Sequence, residues 1–383
     1  MIYLDYAATT PMSEAAIDAY SQAAERFFAN SNSLHDDGSN ASGALDSSRR
    51  LLASILGVQD TGLHFTGSGS EAVFLALYGL AMANKSKGKH IITSQAEHSC
   101  VRNACRWLER HHGFEVSEIT ATSSGKVDMD QLQKSIRPDT VFVSIQHVNS
   151  ETGAINPLQK IGELLRDHSA LFHSDCVQSF CKLDILPSEW NLDSVTVSAH
   201  KIHGPKGLGA SYIHPRVRWE PFIPETNQER GFRAGTVDVP AVVAFATAAR
   251  ELSADRDLNF SKVRSIKENF IQKLRELAGD AIQVEGDPDK DSPYICGMRV
   301  HGMEGQFAML QCSQKGVAIS TGSACQINEQ KPSATMRAIG YDDEEAKQFI
   351  RFSFDPAITG EEVLQAADIL SVILKTHLEH VKT

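Results

Sequence analysis

Short apolar runs recur along the first two thirds of this chain, most of them followed by a longer amphipathic stretch, and no other feature restricts its fold so strongly. "LHFT" (63–66) precedes "SEAVFLALYGLAMAN", "HIITS" (90–94) precedes "HSCVRNACRWLERHH", and "TVFVSIQ" (140–146) precedes "LQKIGELLRDH". Three further runs follow, "ALFHSD" (170–175), "SVTVSA" (194–199) and "GASYIH" (209–214). Runs of this length, several rich in β-branched residues, read as strands buried on both faces. Their alternation with helices predicts an α/β fold, with a mainly parallel central sheet and helices on both faces. The last two runs lie too close together for a helical crossover, so one of them is expected to be antiparallel.

Beyond about residue 250 the texture changes. A long helical pattern, "FSKVRSIKENFIQKLRELAG", leads to shorter strand-like pieces, "YICGMRV" (294–300) and "GVAIS" (316–320), and a helix "GEEVLQAADILSVILKTHLEHV" follows. We read a large α/β domain over 15–250 and a smaller α+β domain formed by 1–14 together with 251–383. The net charge of −11 opposes general nucleic-acid binding, which needs clustered Lys and Arg. Seven scattered cysteines do not form a disulfide framework and fit a reducing, cytoplasmic setting. Cys100/Cys105 and Cys176/Cys181 are too widely spaced for the tight hairpins of zinc sites, so no metal is expected and packed thiols are the simpler reading. No basic-then-apolar leader opens the sequence, and no run reaches the ~18 apolar residues of a membrane span.

Ligands in open α/β sheets sit beyond the carboxyl ends of the strands. Several polar groups fall there. "FTGSGSEA" places Gly67, Gly69 and Ser70 between a strand and a helix, which suits either an anion or an ordinary turn. Asp175, with Gln178 three residues on, is either the partner of a buried cation or a helix N-cap. Asn149 ends "TVFVSIQHVN", and His98 begins a helix, where a histidine is structural or catalytic. Lys201 stands in "VSAHKIHGPKGLGA" with Ser198, His200 and a cluster of glycines, company that a surface lysine does not need. An amine that condenses with an aldehyde, a carboxylate for a pyridinium nitrogen and a phosphate cradle are together what pyridoxal 5'-phosphate requires. On this reading the glycines let the backbone approach the cofactor.

The ordered set "YLDYAATTP", "FTGSGSEA", "AEHS", "HVNSETG", "DCVQS", "SAHKIHGPKGLG", "RGFRAGT", "STGSAC" and "IRFS" resembles the cysteine desulfurases of the NifS/IscS type, fold-type-I pyridoxal-phosphate enzymes. The resemblance implies that Lys201 is the Schiff-base lysine, Asp175 the partner of the ring nitrogen and Gln178 the partner of the ring hydroxyl. It implies that His98 stacks on the ring as an acid/base and that Val177 packs on the opposite face. Gly69, Ser70, Ser198 and His200 would hold the phosphate, and Thr236 would reach the phosphate of the neighbouring subunit of a homodimer. Asn149 and Arg351 would receive the substrate carboxylate. The segment after "IRFS" departs from the common "LGR": it reads Phe354, Asp355, Pro356.

Cys325 lies in the polar, turn-prone stretch "STGSACQINEQKPSATMRAIG", which reads as a mobile surface loop over about 320–335. From the residues alone it is either an incidental exposed thiol or a reactive one. The resemblance implies the latter: its thiolate takes the sulfur of L-cysteine as a persulfide, L-alanine leaves, and an acceptor protein receives the sulfur for iron–sulfur cluster or other cofactor synthesis. The rival readings are a selenocysteine lyase or other β-eliminase, and a sulfur carrier or regulator on the same fold without turnover.

Overall fold

The computed structural model describes residues 1–322 and 332–381. In chain order its strands are β1 (Ile2–Tyr3), β2 (Leu63–Thr66), β3 (His90–Ser94), β4 (Glu115–Ile119), β5 (Thr140–Ser144) and β6 (Leu171–Asp175). They continue with β7 (Ser194–Ser198), β8 (Gly209–Ile213), β9 (Ile282–Val284), β10 (Ile295–Val300), β11 (Val317–Ala318) and β12 (Phe349–Ser353). Seven of them form the central sheet in the order β2-β8-β7-β6-β5-β3-β4. The pairs from β7 through β4 are parallel, while β8 runs antiparallel to both β7 and β2. The expected antiparallel member of the close pair is therefore β8.

Successive residues of a strand face opposite sides of a sheet, and both sides here are apolar. Ile92 and Val143 point into one cluster, which gathers Leu52, Leu158, Ile161, Val242 and Phe245 from covering helices. Ile91 and Phe142 point into the other, with Val73, Leu77, Val101 and Leu108. This two-sided burial explains why the strands read as continuous apolar runs. β4 escapes that reading. It is the sheet edge, exposed at Glu115 and only half-buried over the next three residues, so its pattern "EVSEI" carries two acids.

A three-stranded antiparallel sheet, β12-β10-β9, carries the C-terminal part of the chain. Its cluster takes in the helices Arg256–Ala278 and Gly360–Val381, and also Ile2, Leu4 and Ala7 from the N-terminus. β1 pairs in parallel with β11, and the amide of Ser353 donates to the carbonyl of Leu4 at 2.8 Å. The N-terminal segment thus lies along β12 and continues over the carboxyl ends of the central strands. Among the described residues no helix is long and apolar enough to cross a membrane.

Candidate active site

A cavity of about 420 Å³ opens where β6 and β7 end, beneath the N-terminal segment and beside β12. Lys201 closes a single 3-10 turn, Ala199–Lys201, that follows β7 directly. Its Nζ donates to the carbonyl oxygens of Ala7 at 2.6 Å and Ala8 at 2.7 Å. Thr10 secures the same segment, its amide donating to the His200 carbonyl at 2.9 Å. Gly209 starts β8 because the chain passes close by: a Cβ there would stand 2.6 Å from the Ser68 carbonyl carbon. Gly209 thus makes room for the protein's own turn at Ser68 and Gly69, not for the cofactor expected beside this glycine cluster.

Asp175 ends β6, 7 % exposed, with Oδ1 accepting from the Val177 amide at 2.9 Å. Burial raises its pKa to about 6, against the lowering pull of that amide and of Lys201. It is therefore largely ionised at neutral pH. Gln178 donates through Nε2 to the Ala7 carbonyl at 3.0 Å, and its Oε1 is buried without a partner. A buried polar atom left unpaired is costly, so this oxygen points to a missing donor.

The turn from β2 into the helix Gly69–Asn84 lies against the cavity, with Ser68 as its N-cap and Ser70 exposed at the first turn. A Cβ on Gly69 would lie 3.0 Å from Ser198 Cβ and 3.4 Å from Val177 Cγ2, so glycine keeps this cradle open. His200 contacts Thr9 Oγ1 through Nδ1 at 3.2 Å, and burial, then Lys201, lower its pKa to about 4. His98 caps the helix Ser99–His112. Burial lowers its pKa to about 4, with Lys201, Arg102 and Arg351 adding to the effect.

Arg351, on β12, enters the cavity from the other side. Its Nη1 donates to the Ser150 carbonyl and its Nη2 to Asp5 Oδ1, both at 2.8 Å, and its Nε is buried without a partner. The departure that follows it in sequence is accommodated. Phe354 is buried in the C-terminal cluster, and Asp355 Oδ2 meets His203 Nε2 at 2.7 Å, two residues beyond Lys201.

Two of the expected residues are not on the cavity wall. Asn149 is 1 % exposed: its Nδ2 donates to the Ala96 carbonyl and Thr335 Oγ1, while its Oδ1 accepts from the Glu151 and Thr152 amides. Thr236 is exposed on the loop that leads into the helix Val239–Ala254 and does not line the cavity. Cys325 lies outside the described residues.

Other groups of the site carry no role in the sequence reading. Glu97, buried, and Glu151, half-buried, are carboxyls on its wall, both pushed upward by desolvation first. Glu97 Oε1 accepts from the Gln146 amide at 2.6 Å, and Glu151 Oε2 accepts from the Ser333 hydroxyl. Asp5, Glu97 and Glu151 all fall inside the motifs "YLDYAATTP", "AEHS" and "HVNSETG", and an acid inside an otherwise apolar or turn-forming motif was the available signal. Cys100 also differs from its reading as a packed helix thiol. It is half-buried and lines the cavity, whereas Cys105 and Cys176 are buried as expected.

These features define a class: the chain belongs to the aminotransferase class-V family, pyridoxal phosphate-dependent enzymes, whose model matches residues 2–365. Within that class its similarity is to cysteine desulfurases. It is 42% identical to the putative cysteine desulfurase NifS of Halalkalibacterium halodurans over 374 residues, 98% of each protein. It is 39% identical to the putative cysteine desulfurase NifS of Bacillus subtilis, over 97% of this chain and 94% of that one. Among solved structures it resembles a NifS-like protein, with a TM-score of 0.90 at 27% identity over 98% of this chain and 99% of that one. It also resembles SspA in complex with cysteine, with a TM-score of 0.80 at 31% identity over 94% of this chain and 100% of that one.

Proposed function

We propose that this chain removes sulfur from L-cysteine with bound pyridoxal 5'-phosphate, leaving L-alanine and a persulfide on Cys325. The observation that carries the reading is that Lys201, Asp175, His98 and Arg351 line one cavity. The residues suit the cofactor: the unpaired Oε1 of Gln178 needs a donor such as a ring hydroxyl, and the cradle at Gly69 has no room for a side chain. When bound, pyridoxal phosphate supplies an aldehyde for the lysine and an electron sink for bonds at the substrate α-carbon.

Lys201 is the anchoring amine, and once released it is the base for the α-proton. In the structure the Ala7 and Ala8 carbonyls accept from this amine, and they would receive its ammonium once the α-proton has been taken. Asp175 faces the ring nitrogen with a negative charge, and Gln178 accepts from the ring hydroxyl. His98 and Val177 flank the ring, and His98 transfers protons. Gly69, Ser70, Ser198 and His200 hold the phosphate, joined by Thr236 of a second copy in a homodimer. The Arg351 fork receives the substrate carboxylate, as suits a planar bidentate donor. Asn149 joins it by exchanging its Thr335 contact for the substrate. The Cys325 thiolate attacks the substrate sulfur, and the Cβ–S bond breaks with its electron pair left on the carbon fragment. That fragment is protonated and leaves as L-alanine, and the persulfide passes to an acceptor protein.

Two separate hydrophobic clusters support a division into a large unit over 15–250 and a small one from 1–14 and 251–383. The six described cysteines are all free, which supports a reducing, cytoplasmic setting. The test is stoichiometric: purified protein given L-cysteine and a thiol reductant should release sulfide and L-alanine in equal amounts. Pyruvate and ammonia in place of alanine would mark a β-eliminase. Faster turnover of selenocysteine than of cysteine would favour the lyase.

A further inference from the structure

We propose that Cys100 is a positioning residue for His98: its amide and its thiol both meet Nδ1, and they hold the ring in the tautomer that carries its hydrogen on Nε2. The inference rests on the reading of His98 as the histidine beside the cofactor ring.

The backbone amide of Cys100 lies 3.3 Å from Nδ1 with hydrogen-bond geometry, the contact by which His98 caps its helix. An amide can only donate, so Nδ1 is the acceptor and a neutral ring must carry its hydrogen on Nε2. The Cys100 sulfur stands 2.9 Å from the same nitrogen. Burial first, then Asp175 and Glu97, push the thiol well above its usual range, against the Val101 amide and the Ser70 hydroxyl. The sulfur therefore keeps its hydrogen and is the second donor to Nδ1. Beside burial, the charges that lower the His98 pKa are cations, Lys201 after β7, Arg102 on its own helix and Arg351 on β12, while the carboxyls of Asp175 and Glu97 act on the neighbouring thiol. A second proton on the ring would have to sit at Nδ1, among these cations, and would disrupt the cap. The thiol thus biases His98 toward a neutral Nε2–H donor, beyond the structural task of capping.

The experiment uses the full chain with ¹⁵N-labelled histidine, with cofactor bound and with it removed, and identifies the His98 signal by its loss in His98→Gln. The wild-type ring should show a protonated Nε2 and an unprotonated Nδ1 throughout the assay range. In Cys100→Ala and Cys100→Val the ring titration should move upward by about one unit, because a donor to the neutral form is gone. Cys100→Ser keeps a donor and should move it by less than about half a unit. The acid limb of kcat/KM should follow the same order. Hydrogen on Nδ1 in the wild type, an unmoved titration in both apolar variants, or a serine variant shifted as far as alanine would each overturn the assignment. The ring measurement does not depend on sulfide release, so failure of the desulfurase reading would be seen separately.

Discussion

Arg351 Nη2 and Asp5 Oδ1 stand 2.8 Å apart, joining β12 to the N-terminal segment at the rim of the cavity. Arg351 is 6 % exposed and its Nε is buried without a partner, so the ion pair leaves one donor of the fork unmet. Replacing Arg351 with alanine should raise KM for L-cysteine by tenfold or more, on the order of 2 kcal/mol for a lost charged hydrogen bond. Cofactor affinity should hold. Asp5→Asn keeps a hydrogen bond while removing the charge, and should raise KM less. Steady-state kinetics beside a cofactor titration separates these effects, and an unchanged KM in Arg351→Ala would remove the residue from substrate binding.

Lys201 should be the covalent attachment point. Borohydride treatment of the holoenzyme should fix the cofactor to the peptide that contains Lys201, read by mass spectrometry. Lys201→Ala should lose the visible absorbance of the lysine-bound cofactor and should not be labelled. Label on Lys182 instead, a buried lysine whose pKa burial lowers to about 8, would move the chemistry elsewhere.

Asp175 sets a pH dependence of stability. Its folded pKa of about 6 lies above the ~3.9 of an unfolded aspartate, so the folded state without cofactor binds this proton more tightly. The stabilisation is complete below about pH 4 and is lost as pH rises through about 6. Above that pH the buried carboxylate costs roughly 2–3 kcal/mol. The cofactor-free Asp175→Asn variant should therefore melt higher than wild type at pH 7–8, with the gap closing toward pH 4, and should bind the cofactor more weakly. Equal Tm values across that range would refute the burial argument.

Cys325→Ser should retain the cofactor spectrum and its response to L-cysteine while sulfide and alanine formation fall by orders of magnitude. Turnover at the wild-type rate would assign the sulfur chemistry to another thiol. Cys100, the described cysteine that lines the cavity, would then be examined first.

The parallel strands were legible because burial on both faces leaves runs such as "TVFVSIQ" with no polar face. β4 was not, since an edge strand needs only one dry side. Lys201, Asp175, Gln178 and His98 were legible for a related reason: each interrupts an apolar pattern at a strand end or helix start, where burying polarity requires a cause. The partners of these residues were hidden. Asp5 meets Arg351 across 346 positions, and Asn149 meets Thr335 across 186, and no local pattern encodes either contact. Cys100 was misjudged because helical periodicity tells which face of a helix is buried, not whether that face looks onto a core or a cavity.

Among the described residues, the Lys201 ammonium donates to two peptide oxygens, those of Ala7 and Ala8. Exchanging side chains one at a time leaves such a seat in place, so alanine scanning of residues 5–10 will underreport its importance. An altered chain path will not: a one-residue deletion or insertion before Ala7 would displace the seat, and its effect would be felt at the amine even if the protein still folds.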